Sequence, residues 1–294
     1  MVNALIVGTV RDVAPTLARD VNTFIKKFSP LLELNFFLVE SDSIDSSVSE
    51  LANLKRNLSG FNYVSLGRIQ DNLPQRIERL RFARNVYVNY IRKYQKEFHW
   101  DLVIVIDFDE VNKRINTRGV SNSLRKMQIW DAVFANQFPF YYDIFALRAD
   151  GWAESDCYRE IEEAKLENPF IHLRKKRSMV YFLDLFIHFD RIRKKLLYSK
   201  MKSIPPWQKL VPVKSAFGGF GIYKVEVFLT SNYDAQGIEP GVYCEHVDLH
   251  FSSIEKGKKL YINPAMVNSF FNEYTLNKLK IIRFLKELKK FYSA

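Results

Sequence analysis

Apolar positions in the first half of the chain form short runs that alternate with amphipathic stretches. The runs are rich in β-branched residues, which is typical of strands buried on both faces, whereas the stretches have the apolar spacing of helices. The pattern predicts strands over 4–10, 34–39, 62–66 and 102–106, and helices over 15–28, 47–57 and 74–98. This order predicts an α/β fold with a mostly parallel central sheet, right-handed crossovers and flanking helices.

The second half of the chain has a less regular pattern. It predicts helices over 121–130 and 244–254, strands over 132–136, 143–147 and 260–267, and a charged helical insertion over 151–202. The segment 214–223 resembles a strand, but three glycines interrupt it, and glycine permits a ligand to approach the backbone closely. Because no repeat or flexible linker separates the halves, we expect one domain over 1–294, with its halves meeting near residue 110.

Three carboxylates follow the apolar run 102–106, namely Asp107, Asp109 and Glu110. In extended backbone Asp107 and Asp109 point the same way, and the carboxyl end of a parallel strand is where open α/β sheets bind ligands. A divalent cation such as Mn²⁺ or Mg²⁺ suits paired carboxylates and shares its oxygen shell with phosphates. The pattern suits a metal site, but for these two aspartates alone a solvated strand end with ordinary acidic residues fits at least as well, and the rest of the sequence decides between them.

Composition narrows the classes of protein that fit. The chain has 294 residues, a formal net charge of +11 and two cysteines, Cys157 and Cys244, without metal-binding or redox spacing. A disulfide framework is excluded, and the absence of a signal-like or long apolar segment predicts a cytoplasmic protein. The positive charge indicates an anionic partner such as a phosphate-rich substrate or an anionic membrane surface.

The basic C-terminal segment 277–292 has apolar residues at helical spacing among lysines. Such a helix could lie on the inner face of an anionic membrane and make the protein peripheral to it. Equally, its apolar stripe could pack on the core while its lysines are solvated.

Several segments together resemble a known family. Glu40, Ser43 and Asp45 follow the second predicted strand as an acid and then Ser-x-Asp, and the DFD segment 107–109 comes later. This order resembles the nucleotide-sugar-binding half of GT-A fold glycosyltransferases, which have a Rossmann-like sheet. The arginine-rich segment 76–85, the GGFGIYK segment 218–224 and the CEHVD segment 244–248 also resemble a subgroup that includes cryptococcal-type mannosyltransferases.

The resemblance implies a metal-dependent transferase that moves a sugar from a nucleoside-diphosphate-sugar to a glycan or lipid-linked acceptor, in surface polysaccharide synthesis. Residues 1–110 would then bind the nucleotide, and residues 111–270 would bind the acceptor and carry catalysis. The implied metal ligands are Asp107, Asp109 and His250. The implied donor-binding residues are Thr9, Arg11, Glu40, Ser43, Asp45, Arg76, Arg84, Asp107, Gly218 and Gly219.

An inverting transferase needs a base for the proton of the acceptor hydroxyl. The resemblance places Glu245 in that role, at the start of a late predicted helix, with Asp248 one turn further on as the alternative. Arg76 and Arg84 lie eight residues apart on one predicted helix, close to one face, and could clamp phosphate oxygens or sugar hydroxyls. Other arginines of that helix, Arg79 and Arg81, are expected to be solvated.

Two other classes compete with this interpretation. The segment 106–111 also fits the aspartate motif of haloacid-dehalogenase-type phosphatases, but that motif normally follows the first strand, and here three strand–helix units precede it. A basic nucleic-acid-binding protein fits the charge, but no zinc spacing, aromatic RNA-binding strand or helix-turn-helix pattern supports it. We therefore expect no nucleic-acid partner.

Overall fold

The computed structural model describes residues 1–166, 191–234 and 244–278, and these form an eight-stranded sheet flanked by helices. The order of strands across the sheet is β3-β2-β1-β4-β7-β5-β8-β6. The strands are β1 (Val2–Val10), β2 (Leu32–Glu40), β3 (Phe61–Ser65), β4 (Leu102–Ile106), β5 (Ala132–Phe138), β6 (Val211–Val213), β7 (Phe220–Lys224) and β8 (Leu260–Phe270).

The sheet combines a parallel half with a mixed half. Strands β1 to β4 pair in parallel, as do β5 and β8. Strand β7 lies between β4 and β5 and is antiparallel to both, and β6 is antiparallel to β8. Since β5 and β8 run in the direction of β1 and β4, the carboxyl ends of all these strands lie along one edge of the sheet.

Eight α-helices occur in the described ranges. They are α1 (Ala14–Phe28), α2 (Ser47–Asn57), α3 (Arg76–Phe98), α4 (Thr117–Leu124), α5 (Cys157–Leu166), α6 (Glu226–Thr230), α7 (Glu245–Glu255) and α8 (Glu273–Lys278). A π-helical turn spans Lys194–Tyr198. No helix of the described part of the chain is long and apolar enough to cross a bilayer.

Successive residues of the central strands contribute to two apolar cores, one on each face of the sheet. Leu5 and Val103 pack with α3 on one face, whereas Ile6 and Ile104 pack with α1 on the other. All five residues of β4 are buried. This burial on both faces explains why the strand has no polar alternation in sequence.

The predicted fold class and most predicted elements are confirmed. The first-half strands and helices were placed to within about two residues, as were β5, α7 and the start of β8. The predicted helix 121–130 was misplaced, because α4 begins at Thr117, where Asn116 Oδ1 accepts a 2.5 Å hydrogen bond from the Gly119 amide. Residues 167–190 of the predicted insertion and the predicted helix beyond residue 278 lie outside the described residues.

Two predictions for the second half were wrong. Residues 143–147 form a turn rather than a strand, because the Asp143 carboxylate accepts hydrogen bonds from the amides of Ala146 (3.3 Å) and Gly218 (2.7 Å). The segment 214–223 is not one strand, since Gly218 and Gly219 adopt φ of +69° and +82° and form a turn ahead of β7. Glycine accommodates this left-handed backbone without steric cost.

Gly119 allows α4 to lie directly on β8. A Cβ atom at this position would lie 2.3 Å from Met266 Cα and 2.6 Å from the Ala265 carbonyl oxygen. We expect Gly119→Ala to lower the free energy of unfolding by about 1–3 kcal/mol, even though alanine is better than glycine by about 1 kcal/mol inside a helix. The measurement is urea denaturation followed by circular dichroism.

The matched control is Arg118→Ala, an exposed position on the same helix, which should change stability by less than about 0.5 kcal/mol. An alanine at 119 that stabilised the protein would contradict the close approach of α4 and β8.

Candidate functional site

A cavity of about 330 Å³ opens at the carboxyl edge of the sheet. Its walls come from the ends of β1, β2 and β4, the first three turns of α3, the turn after β5, the segment before β7 and the start of α7. The lining residues are Thr9, Val10, Arg11, Val13, Ser41, Asp42, Arg76, Arg79, Leu80, Ala83, Arg84, Asp107, Phe108, Asp109, Asp143, Phe145, Ala146, Phe217, Cys244, Glu245 and His246.

The backbone after β4 is fixed by hydrogen bonds on the side away from the cavity. The Asp107 amide donates to the Gly219 carbonyl oxygen (2.9 Å), and Asn112 Nδ2 donates to the carbonyl oxygens of Asp107 and Gly219 (2.8 Å each). Asn112 is itself held by Asn268, whose Nδ2 lies 2.7 Å from Asn112 Oδ1. These bonds leave the side chains of Asp107 and Asp109 on the cavity wall.

The third acid of the segment turns away from this cavity. Glu110 has φ of +69°, and its carboxylate contacts Arg19 (3.0 Å) and Lys113 (2.5 Å). Hydrogen bonds from Lys113 and Arg19 lower the pKa of Glu110. Only Asp107 and Asp109 of the three predicted carboxylates therefore face the candidate site.

Arg84 is buried and connects two carboxylates that come from distant parts of the chain. Its Nε lies 2.9 Å from Glu245 Oε1, and its Nη2 lies 3.4 Å from Asp107 Oδ1. The side chains of Arg84 and Glu245 are only 3% and 4% exposed, so this ion pair is shielded from solvent. Because the pair is shielded from water, removal of either partner would leave the other charge buried without compensation and would destabilise the fold.

Four acidic side chains that line the cavity act on one another electrostatically. Burial raises the pKa of Asp107 to about 7, although Arg84 favours its charged form, and the carboxylates of Asp109, Glu245 and Asp143 add to the shift. Burial likewise raises the pKa of Asp109 and of Asp143. Arg84 contacts two of these four acidic side chains, Asp107 and Glu245, and the shared negative charge favours binding of a further cation.

Among the described residues, no group of three or more His, Cys, Asp and Glu side chains is arranged to hold a metal ion. Asp107 and Asp109 would therefore supply only part of an oxygen shell. That donor set fits Mg²⁺ or Mn²⁺ bound jointly by one or two carboxylates and the phosphates of a substrate.

His250 does not join these carboxylates, contrary to its implied metal role. It is buried outside the cavity lining, with Nδ1 2.8 Å from Ser215 Oγ and Nε2 3.0 Å from Tyr223 OH. Both ring nitrogens are thus engaged with hydroxyl groups in the core. In this arrangement no nitrogen of His250 is available to a metal.

His246, one turn earlier on α7, lines the cavity instead. Its ring stacks on Phe217 with a centroid distance of 3.8 Å, and the ring of Tyr233 meets it edge-on at 5.7 Å. Neither ring nitrogen has a hydrogen-bond partner in the described structure, and Nε2 lies 3.8 Å from Glu245 Oε1. Burial, with Arg84 nearby, lowers the pKa of His246 well below its usual value, so the ring is neutral.

Of the predicted donor-binding residues, Thr9, Arg11 and Arg76 line the cavity, but Glu40 at the end of β2 and Ser43 and Asp45 in the loop after it do not. Glu40 accepts hydrogen bonds from the Ser43 amide (3.0 Å) and the Ser65 hydroxyl. Ser43 Oγ accepts from the Asp12 amide (3.1 Å), and Asp45 Oδ2 accepts from the Ala14 amide (3.1 Å).

The bonds of Ser43 and Asp45 join the loop after β2 to the segment after β1, whereas those of Glu40 hold the loop that follows it and the end of β3. Glu40, Ser43 and Asp45 therefore shape the cavity wall indirectly, while Ser41 and Asp42 provide its surface.

Gly218 and Gly219 also stand behind the cavity rather than in its lining. A Cβ atom on Gly218 would lie 2.0 Å from Gln137 Nε2, and one on Gly219 would lie 2.5 Å from Val111 Cγ1. The atoms that approach these glycines closely therefore belong to other residues of the protein and not to the cavity. Their contribution to the site is to position Asp107 and Asp143 through backbone hydrogen bonds.

The other predicted residues of α3 and α7 form ion pairs. Asp248 lies 2.7 Å from Arg81 Nη2 and is not part of the cavity lining. Arg79 lines the cavity, donates to the carbonyl oxygens of Leu73 and Pro74, and lies 3.7 Å from Asp42. The expectation that Arg79 and Arg81 are solvated was therefore wrong, because both are held by carboxylates.

Sequence reasoning missed Asp42, Asp143, Phe217 and His246 as lining residues. Asp42 is adjacent to Ser43, and His246 is adjacent to Glu245. The sequence therefore identified the two segments but not the side chains that face the cavity. Asp143 had been placed in a strand, and no local pattern pairs it with Gly218, which is 75 residues away.

Comparison with known proteins finds no matching family model and no matching curated protein. Among solved structures, the chain is similar to S. aureus TarS 1-349 (11% identity, 96% of this chain, 64% of that chain, TM-score 0.46). It is also similar to the mannosyltransferase PcManGT from Pyrobaculum calidifontis, solved with GDP-Man and Mn²⁺ (12% identity, 99% of this chain, 63% of that chain, TM-score 0.46). The chain spans less than two thirds of the length of either, and similarity at this level does not assign it an activity.

Removal of the Arg84 guanidinium should leave the buried Glu245 carboxylate without its cationic partner. We expect Arg84→Met to lower the free energy of unfolding by about 3–5 kcal/mol, as is typical when one partner of a buried pair is lost. Thermal and urea denaturation measure this loss.

Arg68→Met removes an exposed pair with Asp71 and serves as the matched control, with an expected change below about 1 kcal/mol. Equal stabilities of the two variants would show that the Arg84 pair does not support the fold.

Proposed function

We propose that the chain is a metal-dependent glycosyltransferase that moves a sugar from a nucleoside-diphosphate-sugar to a hydroxyl group of a glycan or lipid-linked acceptor. The observation that supports it most is the charge pattern of the cavity. Two strand-end carboxylates, Asp107 and Asp109, share its wall with the cationic side chains of Arg11 and Arg76. A diphosphate with a divalent cation is complementary to both sets of charges.

In this proposal Asp107 and Asp109 hold Mn²⁺ or Mg²⁺, and Thr9, Arg11 and Arg76 contact the nucleoside diphosphate. The cation, when bound, neutralises negative charge on the phosphate oxygens of the leaving group. The guanidinium groups of Arg11 and Arg76 assist by donating charge-assisted hydrogen bonds to the same oxygens. Arg84 already forms ion pairs with Glu245 and Asp107. It therefore positions these two carboxylates and does not bind phosphate.

Glu245 is the proposed base of an inverting reaction, in which it takes the proton of the acceptor hydroxyl. It lines the cavity at the start of α7, whereas Asp248 lies outside the lining and is paired with Arg81. The geometry therefore favours Glu245 over Asp248. Arg84 holds one Glu245 oxygen, which fixes the orientation of the carboxylate towards the reacting hydroxyl.

We also propose that the acceptor is a surface polysaccharide, that residues 277–292 contact an anionic membrane face, and that the protein acts in the cytoplasm. These proposals rest on the charge of the chain and on the family resemblance.

Nucleotide binding should require a divalent cation, because Asp107, Asp109 and the phosphates each supply part of the oxygen shell. We expect UDP or GDP to bind the wild-type chain with MnCl₂ and to lose binding with EDTA, as measured by isothermal titration calorimetry. Asp109→Asn should lose the cation-dependent part of this binding.

The matched control is Glu110→Gln, a change at the adjacent acid whose side chain faces Arg19 and Lys113. It should bind nucleotide as the wild type does. Binding that is indifferent to EDTA would remove the metal from the proposal.

Loss of the base should affect turnover more than donor binding. We expect Glu245→Gln to slow release of nucleoside diphosphate from the donor by about 10²–10⁴, with donor affinity little changed. Asp248→Asn is the matched control on the same helix and should retain turnover, and melting temperatures verify that both variants fold.

The reverse result, with Asp248→Asn inactive and Glu245→Gln active, would assign the role to Asp248. A product with retained anomeric configuration, determined by NMR, would rule out such a base altogether.

A further inference from the structure

We propose that His246 is a specificity-determining residue whose imidazole hydrogen-bonds a hydroxyl group of the donor's sugar at the inner end of the cavity. This inference rests on the proposed function, because it takes the occupant of the cavity to be a nucleotide-linked sugar. It concerns a residue to which neither the sequence patterns nor the family resemblance gave a role.

The first supporting observation is the hydrogen-bonding state of the ring. His246 is only 2% exposed, yet both of its ring nitrogens lack a hydrogen-bond partner in the described part of the chain. Buried polar groups are almost always hydrogen-bonded in proteins. By contrast, both nitrogens of His250, one turn along the same helix, have hydroxyl partners. Because His246 lines the cavity, a molecule bound there is the candidate for the missing partner.

The second observation is the charge around the ring, which selects the class of that molecule. His246 Nε2 lies 3.8 Å from Glu245 Oε1, and Phe217, on which the ring stacks, adjoins the Gly218 amide bonded to Asp143. Carboxylates at this end repel phosphate oxygens. A neutral imidazole offers one donor and one acceptor, the pair that a hydroxyl group satisfies.

The length of α3 separates this end of the cavity from the end suited to phosphate. Arg76 and Arg84 lie eight residues apart, or about 12 Å along a helix. Arg84 lies with Phe217 and Glu245 near His246, whereas Arg76 is close enough to Asp109 to oppose the rise in that residue's pKa. A diphosphate held near Arg76 and Asp109 therefore directs its attached sugar towards His246.

Packing fixes the direction in which the ring points. Phe217 stacks on the ring at an interplanar angle of 25°, and Tyr233 meets it at 71°. A ring held in this way discriminates between the positions of hydroxyl groups on a sugar, because it cannot turn to follow a displaced one.

The experiment separates the affinity due to the sugar from that due to the nucleotide. With MnCl₂ present, calorimetry gives the dissociation constants of UDP, UDP-glucose, UDP-N-acetylglucosamine, GDP and GDP-mannose for the wild-type chain and for His246→Phe. Phenylalanine keeps the stack on Phe217 but has no nitrogen. We expect the preferred sugar nucleotide to bind about tenfold more weakly to His246→Phe, and its parent nucleoside diphosphate to change by less than about twofold.

Two further variants complete the test. His246→Gln retains a hydrogen-bonding side chain and should recover part of the lost affinity for the sugar nucleotide. His246→Met, which also lacks a polar nitrogen, replaces the phenylalanine variant if that variant does not fold. Equal affinity of the wild type and either apolar variant for the sugar nucleotide would overturn this inference while the proposed function stands. Failure of every nucleoside diphosphate to bind the wild type would overturn both.

Discussion

The candidate site depends on one buried guanidinium. Arg84 comes from α3 and contacts the end of β4 through Asp107 and the start of α7 through Glu245. The aromatic rings of Phe217 and Tyr233 lie 5.6 and 5.8 Å from it, so its neighbours are carboxylates and aromatic faces rather than water. Without this cation the two carboxylates would repel each other in a desolvated space, and the elements that carry them would have no electrostatic reason to meet.

Most of the fold could be predicted from sequence because its information is local. Runs such as 102–106 are buried on both faces, and the apolar spacing of α1 to α3 is read within a few residues. The place of β7 could not be predicted in this way. Its antiparallel position depends on pairing with β4 across more than 100 residues and with β5 across about 90, and only the two glycines before it give a local sign of the turn.

The candidate site likewise has a part that local sequence predicts and a part that depends on distant residues. Asp107 and Asp109 were identified from the rule that ligands bind at strand ends, and Glu245 was identified from the family resemblance. Sequence alone could not decide which histidine of α7 faces the cavity, because His246 and His250 are one turn apart and share a face of the helix. The difference arises from Ser215 and Tyr223, two distant hydroxyl groups that bind only His250.

The central position of β7 has a consequence for biosynthesis. Strands β1 to β4 can pair as soon as residue 106 has left the ribosome, but β4 gains its second neighbour only with residues 220–224. At ordinary elongation rates this interval lasts roughly ten seconds, during which an entirely apolar strand is the open edge of a nascent sheet. Chaperone demand should therefore be concentrated in that interval, and a ribosome stalled within it would present a chain prone to aggregate.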